Sequence, residues 1–125
     1  MIRVSDEQFM DMISSAMDEL PHEHMRSVSN VAVVYADEPT PDQRQELKLR
    51  CTETLFGLYQ GVPLTQRGGS TSYPPDKITI FKHPMEQHAD SIAELKEQIK
   101  RTVWHEIAHY FGLNHDQIHS LEHKN

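Results

Sequence analysis

Apolar residues recur at helical spacing at the start of the chain: Phe9, Met12, Ile13, Ala16, Met17 and Leu20 fall three or four apart, the pattern of a helix with one buried stripe. Ser5 offers a side-chain oxygen to the first free N–H groups and Gln8 completes the capping box. A helix is therefore predicted from about Asp6 to Leu20, where Pro21 stops it. The methionines of this stripe read as core packing. The period then changes. Val31-Ala32-Val33-Val34-Tyr35 is almost continuously β-branched and aromatic, which predicts a strand covered on both faces and makes Val28 to Tyr35 the candidate central strand. Thr40-Pro41-Asp42 marks a second helix, with Pro41 at the first helical position, running to about Leu49.

Further along, Leu55 to Leu64 reads as a short strand interrupted by glycines, with Pro63 suited to a sheet edge. Gly68 to Pro75 is a flexible connection that can line a cleft or simply join two elements. Lys77-Ile78-Thr79-Ile80-Phe81-Lys82 alternates as a strand with one polar face does. Ser91, with Glu94 in the box position, caps a last helix on which Ile92, Leu95, Ile99, Val103 and Ile107 form one apolar stripe.

The C-terminal end of that helix carries the chemistry: His105-Glu106-Ile107-Ala108-His109, then Gly112 and His115. At about 100° per residue, His105 and His109 stack one turn apart on one face, so two neutral imidazoles can grip one cation. Glu106 is rotated away, which puts its carboxylate beside a metal rather than on it, within reach of a metal-bound water. Gly112 can adopt the left-handed conformation that ends a helix, and the chain reversal can return His115 as a third ligand. Three protein ligands leave a fourth position open, as catalytic zinc sites require. Asp116, adjacent to His115, is an alternative third ligand or else the N-cap of a final short helix, Gln117 to Leu121. Both motif histidines lie well away from the centre of the apolar stripe, on a side shared with Gln98, Arg101 and Thr102. They are not ordinary core histidines, and Trp104 and Ala108 argue against a fully solvated face. His22, His24, His83, His88, His119 and His123 read as solvated residues outside the site.

A chain of 125 residues fits one domain spanning positions 1–125, with a single hydrophobic core. A formal net charge of -7 argues against nucleic-acid phosphate or an anionic membrane surface as a partner. Cys51 is the only cysteine, which forbids an internal disulfide and reads as a small semi-buried apolar residue. No apolar run approaches the roughly 20 residues of a membrane span, and the N-terminus has no signal-peptide layout. The expected compartment is the cytosol.

The His-Glu-x-x-His-x-x-Gly-x-x-His pattern resembles the metzincin form of the zincin metallopeptidase signature. The order of elements, with Gly57-Leu58-Tyr59-Gln60-Gly61-Val62-Pro63-Leu64 before a strand ending at Phe81 and a motif helix near the C-terminus, is similar to the small bacterial zincin-like metallopeptidases, the minimal zincins. The resemblance spans about Asn30 to Leu121. It implies an α+β fold, a small mixed sheet packed on helices with the zinc-binding helix near the C-terminus. It implies Zn2+ held by His105, His109 and His115, with Glu106 as general base and acid in the hydrolysis of a peptide or protein substrate. No methionine follows Met85, so the Met-turn of true metzincins is missing and the expected site is more open. An extended peptide can pair with a strand edge, for which Leu55 to Leu64 and Lys77 to Lys82 are the candidates. The competing expectation is a catalytically weak or inactive zincin-like domain that binds zinc and a peptide or protein partner. Behind it stands a protein handling nickel or another transition metal, which imidazole ligands also permit.

Overall fold

A computed structural model describes residues 1–19, 31–50, 56–61 and 76–112. Their order is α1 (Asp6–Asp18), β1 (Val31–Ala36), α2 (Pro41–Arg50), β2 (Gly57–Gln60), β3 (Asp76–Phe81), α3 (Lys82–His88) and α4 (Ile92–Tyr110). The fold class is α+β, as expected. Three of the helices start where side-chain chemistry says they should. Ser5 and Gln8 form a reciprocal capping box on α1, Thr40 and Gln43 do the same before α2, and Ser91 accepts the Glu94 N–H before α4. Each satisfies backbone donors that the first helical turn cannot. Helix α1 ends at Asp18 with Glu19 as its C-cap, slightly short of the predicted Leu20.

The described strands form one mixed sheet in the order β1-β3-β2. β1 runs parallel to β3, from Val31 opposite Asp76 to Ala36 opposite Phe81. β2 is antiparallel to β3, from Gly57 opposite Ile80 to Gln60 opposite Lys77. Two strand expectations are thereby corrected. The Val31 to Tyr35 run is an outer strand among those described, and Val34 is exposed. Lys77 to Lys82 does not have one polar face: β3 is the central strand, Asp76 and Thr79 are buried on it, and Lys82 already belongs to the next helix. A central strand needs cover on both faces, and β3 is buried at every position but Lys77. Of the two candidate edges, β2 is an outer strand among those described and β3 is not.

The main core lies on one face of the sheet. Phe9, Ile13 and Ala16 of α1, Ile78 and Ile80 of β3, Met85 of α3 and Leu95, Ile99, Val103 and Ile107 of α4 form one buried cluster. Ile92, expected in that stripe, is 39% exposed because it sits at the helix start, beyond the core. The other sheet face holds a smaller cluster of Leu58 and Phe81, with Ala36 against it. Helix α3 has no counterpart in the sequence pattern. It starts at Phe81 without a side-chain cap. It anchors the N-terminal segment: the Ile2 N–H donates to the Glu86 carbonyl at 2.9 Å, the Val4 N–H to Glu86 Oε2 at 2.8 Å, and Lys82 Nζ to Asp6 at 2.7 Å. Among the described residues no helix is long and apolar enough to cross a membrane.

Candidate metal centre

The last turns of α4 are covered on two sides. Ile99, Val103 and Ile107 face the main core, while Thr102 and Glu106 meet β2 at Gly57. His105 is 7% exposed, Glu106 3%, and His109 is half-buried. A solvated polar face would have left all three in water.

The spacing of four brings the two imidazoles together as the helix dictates. Their centroids are 4.8 Å apart, the rings stand at 75°, and the Nε2 atoms approach to 3.1 Å. Two ring nitrogens at that distance need a positive centre between them: either one ring donates its N–H to the other, or both accept a common cation. Two imidazoles on one tetrahedral zinc, with Zn–N near ~2.0–2.1 Å, hold their nitrogens about 3.3 Å apart. The pair therefore fits zinc with a small adjustment.

Glu106 completes the cluster. Its Oε1 accepts the Tyr59 backbone N–H at 2.8 Å in a buried bond, and its Oε2 lies 3.9 Å from His105 Nε2. One oxygen is tied to β2 and the other faces the histidine side. The ligand atoms of His105, Glu106 and His109 all lie within 4.8 Å of one another. Helix α4 then ends as expected: Phe111 is the C-cap, the Gly112 N–H donates to the His109 carbonyl at 2.9 Å, and Gly112 takes φ +87°, a conformation that suits glycine and turns the chain.

His115 and Asp116, the two candidates for a third ligand, lie outside the described residues, as does the expected helix Gln117 to Leu121. So do His22, His24, Cys51, His119, His123, Val62 to Leu64 and the Gly68 to Pro75 connection. His83 and His88 are described and exposed. The His83 ring lies 3.8 Å from Asp37, the His88 ring 5.4 Å from Phe56, and neither joins the cluster. Sequence reasoning missed what holds Glu106. A backbone N–H such as that of Tyr59 has no residue type to announce it, and Gly57 was the one trace, a glycine interrupting a strand, which often marks close approach of another element.

A family model described as zincin-like metallopeptidase matches residues 28–124, a span that includes β1, β2, β3 and the whole motif from His105 to His115. Among solved structures, a similar chain is a conserved hypothetical protein from Thermo thermophilus, with 16% identity and a TM-score of 0.54, covering 97% of this chain and 100% of that one. At that identity the likeness is one of fold. No curated protein matches the chain. With the matched span running through the sheet and the histidine cluster, the chain belongs to the zincin-like metallopeptidase family.

Proposed function

We propose that this protein is a zinc-dependent peptidase in which His105, His109 and His115 hold the metal and Glu106 is the general base and then the general acid. The observation that carries the reading is the approach of the His105 and His109 Nε2 atoms to 3.1 Å with the Glu106 carboxylate alongside. When bound, zinc would supply Lewis acidity, lowering the pKa of a coordinated water to about 7 and polarising a carbonyl. The chain supplies the rest. Glu106 takes a proton from the attacking water on the oxygen that faces His105 and returns it to the leaving amine. Its other oxygen is tied down, so the carboxylate need not be reoriented at the moment of reaction. Gly112 turns the chain after His109, which supports the return of His115 toward the pair. β2, an outer strand among those described, offers the edge along which an extended peptide can add. A single cysteine and an acidic balance suit a cytosolic enzyme acting on peptides or proteins rather than on nucleic acid or membrane.

The test is the metal content of tag-free protein by mass spectrometry before and after dialysis against limiting zinc, followed by a peptide library. The reading expects about one zinc per chain, loss of that zinc in His105→Ala, and cleavage that a chelator stops. Zinc uptake with a large chelator-induced drop in Tm and no cleavage would replace it by a non-catalytic zinc-binding domain. Selective retention of nickel would point to transition-metal handling.

A further inference from the structure

The contact between β2 and α4 is closer than the packing of a strand on a helix needs to be. In an antiparallel pair, alternate residues turn both backbone groups toward the partner strand. The Phe56 carbonyl accepts the Phe81 N–H at 2.8 Å, so Phe56, Leu58 and Gln60 face β3 with their backbone groups, and Gly57 and Tyr59 turn theirs away. The outward N–H of Tyr59 goes to Glu106 Oε1 at 2.8 Å. Two residues earlier, a Cβ on Gly57 would stand 2.5 Å from Thr102 Cγ2, 3.3 Å from the Thr79 carbonyl oxygen and 3.4 Å from Glu106 Cγ. Thr102 and Glu106 are one helical turn apart, and the bare Cα of Gly57 sits against both.

We propose that β2 is a positioning element for Glu106: the absence of a side chain at Gly57 lets the strand seat against Thr102, and that seating delivers the Tyr59 N–H to one carboxylate oxygen while the other is left facing His105. Gly57, Tyr59 and Thr102 act through Glu106 and are positioning residues. The inference rests on the proposed role of Glu106 as the base, and it adds what sets that base in place before any ligand arrives. It also constrains the substrate. A peptide adding along β2 meets a strand whose Tyr59 N–H is already committed.

The experiment follows the Tyr59 amide in the full-length chain with 15N-tyrosine, measuring hydrogen exchange by NMR alongside zinc affinity and, on any peptide the library yields, kcat and KM. In the native chain the Tyr59 amide is expected to exchange at least ~10²-fold more slowly than an open amide. Gly57→Ala is expected to speed that exchange by ~10-fold or more and to lower kcat by roughly 10²-fold, the scale of a displacement of about 1 Å at a catalytic group, with KM and zinc affinity within about threefold. Adding Thr102→Ser deletes the methyl group that the new Cβ meets, and the double variant is expected to recover both amide protection and kcat. If Gly57→Ala does not fold, the pair Glu106→Gln and Glu106→Ala decides the matter: glutamine keeps an acceptor and a slow Tyr59 amide, alanine gives a fast one.

An unprotected Tyr59 amide in the native chain overturns the inference, as does a Gly57→Ala variant that keeps full protection and kcat, or a folded double variant with no recovery. Peptide cleavage alongside an unprotected amide would sink the inference alone. A protected, rescuable amide in a chain that binds zinc but cuts nothing would keep the positioning of Glu106 and sink the peptidase reading.

Discussion

Two glutamates on neighbouring helices, Glu86 on α3 and Glu106 on α4, use one oxygen in the same way. Each is buried, and each accepts a backbone N–H from a distant segment at 2.8 Å, Val4 for Glu86 and Tyr59 for Glu106. They part company in their surroundings. Glu86 sits one turn from Lys82, whose amine it helps to keep charged, and its backbone carbonyl also takes the Ile2 N–H. It ties the N-terminal segment to α3. Glu106 has its second oxygen 3.9 Å from His105 Nε2, beside a second imidazole. A buried carboxylate bonded to an amide is therefore a structural stitch until its remaining oxygen faces something that can react.

Substitutions can break that contrast, and the largest effect falls on the imidazole pair. His105→Ala removes one nitrogen of a pair 3.1 Å apart and leaves too few ligands, so zinc is expected to be lost from the purified protein and all hydrolysis with it; His88→Ala, at an exposed ring, is the control that should keep both, and equal zinc contents in the two would move the site elsewhere. Next comes the carboxylate itself. Glu106→Gln keeps the shape and an acceptor for Tyr59 but cannot take a proton, so kcat should fall by ~10²–10⁴-fold with zinc retained, whereas Glu86→Gln should leave kcat unchanged; matched losses in the two would erase the distinction.

Glu86→Ala should act on stability instead. It strands the buried Val4 N–H, which costs about 1–3 kcal/mol, and urea unfolding should show a lower midpoint while the folded protein keeps its turnover. The smallest effect is the pH dependence of the Asp6–Lys82 pair beside Glu86. The Lys82 amine, donating to Asp6, holds the Asp6 carboxyl below its usual 3.8, and the hydrogen bond to Asp6 raises Lys82 above its usual 10.5. A carboxyl held low contributes stability above its unfolded value and loses it as pH falls through the folded one. A raised lysine contributes below its unfolded value and loses it as pH rises through the folded one. Asp6→Asn should flatten both limbs of the stability profile, and an unchanged acid limb would show that the exposed Asp6 carboxylate contributes nothing measurable.

What was legible in the sequence is what is decided within a few residues. The box at Ser5, the side-chain cap at Ser91 and the glycine stop at Gly112 each depend on neighbours three or four positions away, and all three are present, although the Glu94 carboxylate takes the Asp90 N–H and so does not close a box with Ser91. The His105–His109 pairing needs only helical spacing. Strand order was another matter. The apolar run at Val31 to Tyr35 looks more buried than the Asp76 to Phe81 segment, yet β3 is central because Asp76, Thr79 and the following Lys82 are covered by residues far along the chain. Helix α3 escaped notice because Phe81 provides no cap and Pro84 falls in its first turn, a position proline tolerates but does not announce. The hold on Glu106 was invisible for a plainer reason: its donor is main chain.

Gly57 bears on folding as well as on the finished site. From Leu55 to Gln60 it is the one residue without a side chain. Sliding β2 by one position along β3 would bring Phe56 or Leu58 against Thr102, and sliding by two would bring Leu55 or Tyr59. Each would drive a bulky group into a gap that a single added carbon overfills. A strand of four residues has few ladder bonds with which to choose its own register. The motif helix makes the choice for it, as a keyway admits one key, and a chain that pairs β2 in the wrong register cannot dock α4.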